Sequence, residues 1–199
     1  MNKNLLLLVL SLVMVALGHA QNAKSILDKS AAALSKGAVT ATFATSGAMG
    51  NSTGSITAQG NKFVLQSSAA RIWFDGRTEW ALAAGSNEVN ISNPTAAEVA
   101  TLNPMNYVTL YKRGYTATAT DKGAANEVRL VAQNAKAGLA ELLITINKSN
   151  SLPSVVKVRS GKQWTTINVK SISVGKKQAD ATFRFDPKQF PKVELIDLR

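Results

Sequence analysis

Apolar and polar residues alternate with a period of two through most of this chain, which predicts a protein built mainly of β-strands. The pattern is clearest from Arg71 to Ser92, where three apolar pairs recur with turn residues between them. Residues two apart share one face of a strand, so three strands joined as a meander are expected to place all six side chains on one surface. The pairs are Ile72 and Phe74, Trp80 and Leu82, and Val89 and Ile91.

The segments between these pairs carry the residues that turns require. Asp75-Gly76 is a strong hairpin signal because glycine adopts a positive φ without steric cost, and residues 84–87 can close the second turn. The opposite face is then expected to be more polar, with Arg71, Trp73, Glu79, Glu88 and Asn90. A sheet that has one apolar face must have that face covered by a second sheet, by helices or by a ligand.

Strand patterns also precede and follow this stretch. A helix is expected over residues 22–36, ended by Gly37, and the period changes to two from Val39 through Leu65. Further strands are expected at residues 115–120, 126–132, 139–147, 154–160, 163–174 and 181–185, with a last segment near residue 193. About 11 strands with two or three helices therefore predict a mainly β (α+β) fold, either as a large, strongly curved antiparallel sheet or as an incomplete barrel.

Residues 94–113 interrupt the strands and predict two short helices joined at Asn103-Pro104. Thr95 and Glu98 have the spacing of a capping box, and a proline inside a helical pattern breaks the helix and restarts it. Such a pair either packs on the sheet as ordinary helices or forms a lid that moves about the proline. Both interpretations fit the pattern.

The first 20 residues have the features of a signal peptide, and export to the periplasm is expected. Lys3 precedes an apolar run from Leu5 to Leu17, and small residues at positions 18 and 20 favour cleavage after Ala20. The sequence has no cysteine, which excludes a disulfide framework and a lipid-modified cysteine. Residues 21–199 are expected to form a single domain.

The chain has a formal net charge of +11, which favours acidic partners. A solvated basic surface explains this charge, and an anionic membrane surface or an acidic protein are the alternatives. Nucleic acid is not expected as a partner, because the sequence has no basic and aromatic motif of an RNA- or DNA-binding module.

Catalytic residue patterns are missing from residues 21–199. The single histidine, His19, lies in the expected leader, so Ser-His-Asp and Cys-His nucleophile systems and nearly all zinc sites are excluded. The acidic residues are scattered singly, and no glycine-rich loop lies between a strand and a helix. We therefore expect a protein that is not an enzyme and that has no cofactor or metal.

Four short motifs occur along the chain in a fixed order. They are the hairpin Phe74–Trp80, then Asn87–Val89, the junction Asn103-Pro104, and the ending Phe183–Pro187 followed by Val193–Asp197. These motifs resemble those of the LolA-like outer-membrane lipoprotein carrier proteins, in the form found in Bacteroidetes-type bacteria, and the hairpin is like that family's DGxxxW. The order of elements matches the family over essentially all of residues 21–199. At the position where proteobacterial members have an arginine that bonds to the lid, residues 60–65 contain Lys62 instead. The resemblance implies an incomplete, strongly curved antiparallel barrel of about 11 strands with a helical lid.

The resemblance implies a soluble periplasmic carrier whose concave apolar face is covered by a helical lid. Such a carrier takes acylated lipoproteins from an inner-membrane lipoprotein-releasing ABC transporter to the outer membrane, where an acceptor is a further expected partner. It is expected to be a monomer and to contact membrane surfaces transiently. The alternatives are a lipid-binding sensor, another non-enzymatic envelope lipid-binding module and an adhesive β-domain.

The expected ligand site is a loosely filled apolar cavity under this lid. The cavity is expected to be lined by Phe43, Phe63, Leu65, Ile72, Phe74, Trp80, Leu82, Val89 and Ile91. The lid residues expected to take part are Val99, Leu102, Pro104, Val108 and Tyr111.

Overall fold

A computed structural model of this chain describes residues 22–48, 50–95, 98–99, 103–134 and 137–199. The expected leader with its cleavage site at Ala20, and the expected lid residue Leu102, lie outside these residues.

Twelve β-strands form one sheet in the described part of the chain. Their order in the sheet is β12-β6-β5-β4-β3-β2-β1-β11-β10-β9-β8-β7, so β12 and β7 are the two edges and the sheet is open. Neighbouring strands are antiparallel, except that β12 runs parallel to β6. The strands are β1 (Ala38–Gly47), β2 (Ser52–Gln59), β3 (Lys62–Ser67), β4 (Ala70–Phe74), β5 (Glu79–Ala83), β6 (Glu88–Ser92), β7 (Tyr115–Lys122), β8 (Ala125–Ala132), β9 (Glu141–Asn147), β10 (Pro153–Ser160), β11 (Gln163–Gly175) and β12 (Glu194–Asp197).

Helices pack on one face of this sheet, which we call the inner face. Helix α1 covers residues 22–34, and a 3₁₀ helix, Pro104–Lys112, connects β6 to β7 and is called the lid helix. The fold class expected from the sequence, a mainly β, incomplete and curled barrel with a helical lid, is confirmed, with 12 strands instead of about 11.

Helix α1 and the lid helix fill the inner face over strands β7 to β11. Ala23, Leu27 and Leu34, which lie on one side of α1, are buried there. Gly37 lets the chain turn from α1 into β1, because a Cβ at this position would lie 1.9 Å from the carbonyl oxygen of Gly175. The buried side chains beneath the two helices are Tyr107, Val108, Leu110, Val128, Leu130, Leu142, Ile144, Ile146, Leu152, Val156 and Val158, with Val39 from β1.

The hairpin between β4 and β5 has a loop of four residues, 75–78. The Asp75 carboxylate shapes it, since Oδ1 accepts hydrogen bonds from the backbone N–H of Arg77 at 3.1 Å and of Thr78 at 2.9 Å. Gly76 adopts a positive φ of 102°, as the sequence predicts for this turn. A loop with an even number of residues pairs even-numbered residues with odd-numbered ones, so Ile72 lies opposite Ala81 and Trp73 lies opposite Trp80.

This register corrects the prediction that all three apolar pairs share one surface. Directly opposed residues project from the same face, so Trp80 and Leu82 lie on the outer face with Trp73, whereas Ile72 and Phe74 lie on the inner face. The pairing of β5 with β6 also places Val89 opposite Leu82 and Ile91 opposite Trp80, on the outer face. Glu79, expected on the polar outer face, lies opposite Phe74 on the inner face.

The outer face over β4 to β6 is covered by the C-terminal segment, residues 178–193. Phe185 is buried against Trp73, with ring centroids 5.3 Å apart, and Phe190 lies 5.5 Å from the same indole ring. Two ion pairs hold this segment: Lys62 Nζ lies 2.7 Å from Asp180 Oδ1, and Arg184 Nε lies 3.1 Å from Asp75 Oδ2. Residues 181–185 were expected to form a strand, but residues 181–183 belong to a 3₁₀ turn, Asp180–Phe183, and the next two residues are not in a strand.

Candidate functional site

The inner face over β1 to β4 is apolar but less completely covered than the inner face beneath α1 and the lid helix. Phe63 and Phe74 form its floor and are buried, with ring centroids 5.4 Å apart. Phe43, Leu65 and Ile72 pack against the same cluster but are only half-buried. The corresponding side chains in β8 and β9, beneath α1, are fully buried. An apolar surface on a curled sheet is therefore left open between β1 and β4, and we call it the inner trough.

Small residues opposite large ones create the trough. Phe43 lies opposite Gly54 in the β1–β2 pair, and a Cβ on Gly54 would lie 2.7 Å from Cζ of Phe43, so the phenyl ring occupies the space above this glycine. Ala58 lies opposite Phe63 in the β2–β3 pair. Glycine and alanine contribute little side-chain volume, so the large side chains of β1 and β3 lie across β2 and form the surface of the trough.

The trough ends at β5, where polar residues line the inner face. Glu79 lies opposite Phe74, and the pairing with β6 brings Asn90 opposite Ala81 and Ser92 opposite Glu79. Burial raises the pKa of Glu79, and the nearby Glu98 raises it further. The apolar surface of the sheet thus changes sides at β4, from the inner face over β1–β4 to the outer face over β4–β6.

The structure brings together five of the nine cavity residues expected from the sequence. Phe43, Phe63, Leu65, Ile72 and Phe74 lie on the inner face in one cluster. The other four, Trp80, Leu82, Val89 and Ile91, belong to the outer-face cluster with Trp73 and Phe185.

Three of the expected lid residues lie in different surroundings. Val99 packs against the trough cluster, whereas Val108 is buried in the filled half with α1, and Tyr111 is half-buried. Met105, which the sequence analysis did not single out, packs against both clusters. In the sequence, the position of Met105 directly after Pro104, at the start of the lid helix, was the signal that could have indicated a role for this residue.

The break expected at Asn103-Pro104 is present. Asn103 is buried and extended, with φ −104° and ψ 96°, and its side chain accepts a hydrogen bond from the backbone N–H of Met105. Pro104 begins the lid helix, where its missing N–H removes no helical hydrogen bond. Movement of the lid about this junction stays a prediction.

The lid helix is tied to α1 through the carboxylate of Asp28. The Tyr111 hydroxyl donates a hydrogen bond to Asp28 Oδ1, and Lys112 Nζ lies 3.2 Å from the same oxygen. These contacts hold the pKa of Asp28 below its usual value, with the tyrosine hydrogen bond as the largest cause, followed by that from Lys112. The ammonium group of Lys62 pairs with Asp180 in the C-terminal segment.

We expect Tyr111→Phe to loosen the lid helix, because the hydroxyl that joins it to α1 is removed. Amide exchange of residues 107–112 should become several-fold faster than in the unaltered protein. Tyr115→Phe is the matched control, since that hydroxyl donates to the carbonyl oxygen of Leu139, outside the lid. Equal exchange in the two variants would contradict this assignment.

The same contact predicts a pH dependence. A carboxyl group whose pKa is lowered by folding stabilises the folded state above its unfolded pKa, near 3.8 for Asp28. This contribution is lost as the pH falls through the lower pKa of the folded protein. Protection of residues 107–112 should therefore decrease in that acidic range, and the decrease should be smaller in Tyr111→Phe.

A cleft of about 450 Å³ opens beside the trough, between the β4–β5 hairpin, the loop after β6 and the lid helix. Phe74 and Val99 line this cleft and also belong to the trough cluster, so the two spaces are adjacent. The cleft thus has apolar side chains where it meets the trough and polar side chains, such as Arg77 and Asn93, elsewhere.

A family model described as "Outer membrane lipoprotein carrier protein LolA" matches residues 14–162, most of the chain. This chain belongs to the LolA family. No sequence among curated proteins matches it significantly.

Solved structures share the fold of this LolA-family chain. An uncharacterized conserved protein from Thermus thermophilus has a TM-score of 0.59 and 15% identity, over 88% of this chain and 99% of that one. MucB has a TM-score of 0.51 and 13% identity, over 88% of this chain and 66% of that one. A DUF1329 family protein from Desulfovibrio piger has a TM-score of 0.51 and 6% identity, over 83% of this chain and 97% of that one. At these identities the likeness concerns the fold alone.

Neither a membrane-spanning helix nor a metal cluster is found among the described residues. Within those ranges, every helix is too short or too polar to cross a membrane. No group of three or more histidine, cysteine, aspartate or glutamate side chains is arranged there to hold a metal ion.

Proposed function

We propose that this LolA-family protein is a periplasmic carrier that binds the acyl chains of lipoproteins in the inner trough and moves them from the inner to the outer membrane. One observation carries the proposal: Phe43, Leu65 and Ile72 are only half-buried on the inner face of a curled sheet, whereas the large apolar side chains on the same face of β8 and β9 are buried. An uncovered apolar surface between packed elements is the kind of surface that takes an apolar ligand.

The magnitude of the hydrophobic effect favours an open trough over a closed, dry cavity. Three acyl chains contain roughly 40 methylene groups, and full burial at about 0.8 kcal/mol each would be worth some 30 kcal/mol. Non-covalent affinities saturate near about −20 kcal/mol, and a carrier must also release its ligand. A trough with glycine and alanine among its large side chains would leave part of the acyl chains exposed, which reduces the affinity.

The other parts of the proposal rest on the family and on the leader expected from the sequence. The donor would be an inner-membrane lipoprotein-releasing ABC transporter, and an outer-membrane acceptor would receive the cargo. The carrier itself would do no covalent chemistry. Its basic charge would favour brief contact with anionic membrane surfaces.

Release of lipoproteins from spheroplasts tests the proposed function. Adding the purified protein to spheroplasts of its own host should move newly made lipoproteins into the supernatant as soluble complexes. Ile72→Glu should lose this activity, because it places a carboxylate in the trough. Asn90→Asp is the control, because it also introduces a carboxylate on the inner face, but at an exposed position outside the trough. Lipoproteins that stay with the spheroplasts in the presence of the unaltered protein would contradict the proposal.

A further inference from the structure

Two arginines line the cleft that adjoins the trough. Arg77 lies in the β4–β5 loop, and Arg113 lies directly after the lid helix. Both side chains are exposed, and neither forms an ion pair with a carboxylate of the described residues. Asp75, two residues before Arg77, does not neutralise them, because it pairs with Arg184 and accepts two backbone N–H groups. The cleft therefore presents two guanidinium groups that form no ion pair within the described part of the chain.

The two arginines come from different parts of the fold. Arg77 is fixed to the sheet, since its backbone N–H donates to Asp75. Arg113 is attached to the lid helix, and its backbone N–H donates to the carbonyl oxygen of Leu110 at 2.8 Å. An anionic group bound between them would join the lid helix to the sheet.

Acidic side chains lie on the other side of Pro94. A second cleft, of about 540 Å³, is lined by Glu79, Glu98 and Arg199, and it shares Pro94 with the first cleft. The guanidinium group of Arg199 already binds Asp197, at 2.6 Å. Two carboxylates on this side disfavour a negatively charged ligand there, so the charge distribution directs an anion towards Arg77 and Arg113.

We propose that the first cleft binds acidic residues of the cargo polypeptide that follow directly after its acylated end. This inference rests on the proposed function, because acyl chains in the trough would place the first peptide residues in the adjoining cleft. Guanidinium groups match carboxylates bidentately. The amide side chain of Asn106, which also lines the cleft, offers both a donor and an acceptor to a peptide backbone. The cleft would thus select cargo by charge, and an acidic cargo would hold the lid helix against the sheet.

Two synthetic lipopeptides test this selection. Both carry the same diacylglyceryl cysteine, followed in one by Ser-Asp-Asp-Asp and in the other by Ser-Asn-Asn-Asn, with the same fluorophore at the carboxyl end. The unaltered protein should bind the aspartate lipopeptide about tenfold more tightly at low salt, and the ratio should fall as salt is added. Dipalmitoyl phosphatidylglycerol is added as a competitor. It distinguishes a phosphate headgroup from a peptide carboxylate as the group that the cleft binds.

Two double variants test whether Arg77 and Arg113 cause the preference for the aspartate lipopeptide. In Arg77→Gln/Arg113→Gln the ratio should fall to about one, with the asparagine lipopeptide bound as before. Lys157→Gln/Lys170→Gln removes the same charge from exposed positions on β10 and β11, and it should keep the ratio. Equal binding of both lipopeptides by the unaltered protein, or equal loss in both double variants, would overturn the inference. So would stronger competition by the phospholipid than by the aspartate lipopeptide. Failure of both lipopeptides to bind would instead contradict the proposed function.

Discussion

Replacing Leu65 with glutamate is expected to abolish binding of an acylated lipopeptide while the protein stays folded. Leu65 is half-buried in the empty trough, so a carboxylate at this position keeps contact with water. When acyl chains cover the trough, the same carboxylate loses that water and gains no partner. The resulting penalty should weaken binding at least about 100-fold, since each 1.4 kcal/mol changes an equilibrium constant about tenfold.

Titration with a fluorescent lipopeptide measures this loss, and circular dichroism reports whether the fold is retained. Gln66→Glu is the matched control, because Gln66 is the next residue on β3, is exposed and projects from the opposite face. It should bind with nearly unchanged affinity. Unfolding of Leu65→Glu would place Leu65 in a dry core, and unchanged binding would remove β3 from the ligand site.

Val89→Glu, unlike Leu65→Glu, is expected to unfold the protein. Val89 is completely buried in the outer-face cluster, between the sheet and the C-terminal segment. A carboxylate there would lose its water in the folded state and would displace the packing around Trp73 and Phe185. The cost should exceed about 4 kcal/mol, a large part of the stability of a domain of this size.

Urea unfolding followed by circular dichroism checks this prediction. Asn90→Asp, one residue later on β6, adds a carboxylate at an exposed position and should change the free energy of unfolding by less than about 0.5 kcal/mol. If Val89→Glu folded normally and lost only lipopeptide binding, Val89 would face the ligand, and the division of the sheet into two apolar faces would be wrong.

The strands and the breaks between them could be predicted from the sequence, because they depend on local patterns. The alternation from Val39 to Leu65 led to three strands with Phe43, Phe63 and Leu65 on one face, as the structure shows. Asn103-Pro104 likewise marked the start of the lid helix. Each of these features is determined within a few residues of the chain.

The faces of β5 and β6 could not be predicted in this way. They depend on the number of residues in the β4–β5 loop, which is set by hydrogen bonds to the Asp75 side chain. A change of one residue in that loop would reverse which face each later side chain occupies. Either arrangement keeps the same alternation of apolar and polar residues within each strand, so the pattern alone does not reveal the reversal.

One signal in the sequence does indicate two apolar faces. Ile72, Trp73 and Phe74 are consecutive, and a continuous apolar run is typical of a strand that is buried on both sides. The structure shows this arrangement, with Trp73 on the outer face. The cover for that face comes from Phe185 and Phe190, which are distant in sequence, so no local pattern connects them to β4.

Photo-crosslinking tests most directly whether acyl chains occupy the inner trough. A lipopeptide with a diazirine group near the end of one acyl chain is bound to the unaltered protein and irradiated, and the modified residues are identified by mass spectrometry. Labels are expected on Phe43, Leu65 and Ile72, and on Val99 or Met105, which pack against the same cluster. Labels concentrated on Trp80 and Leu82, on the outer face, would contradict binding in the inner trough.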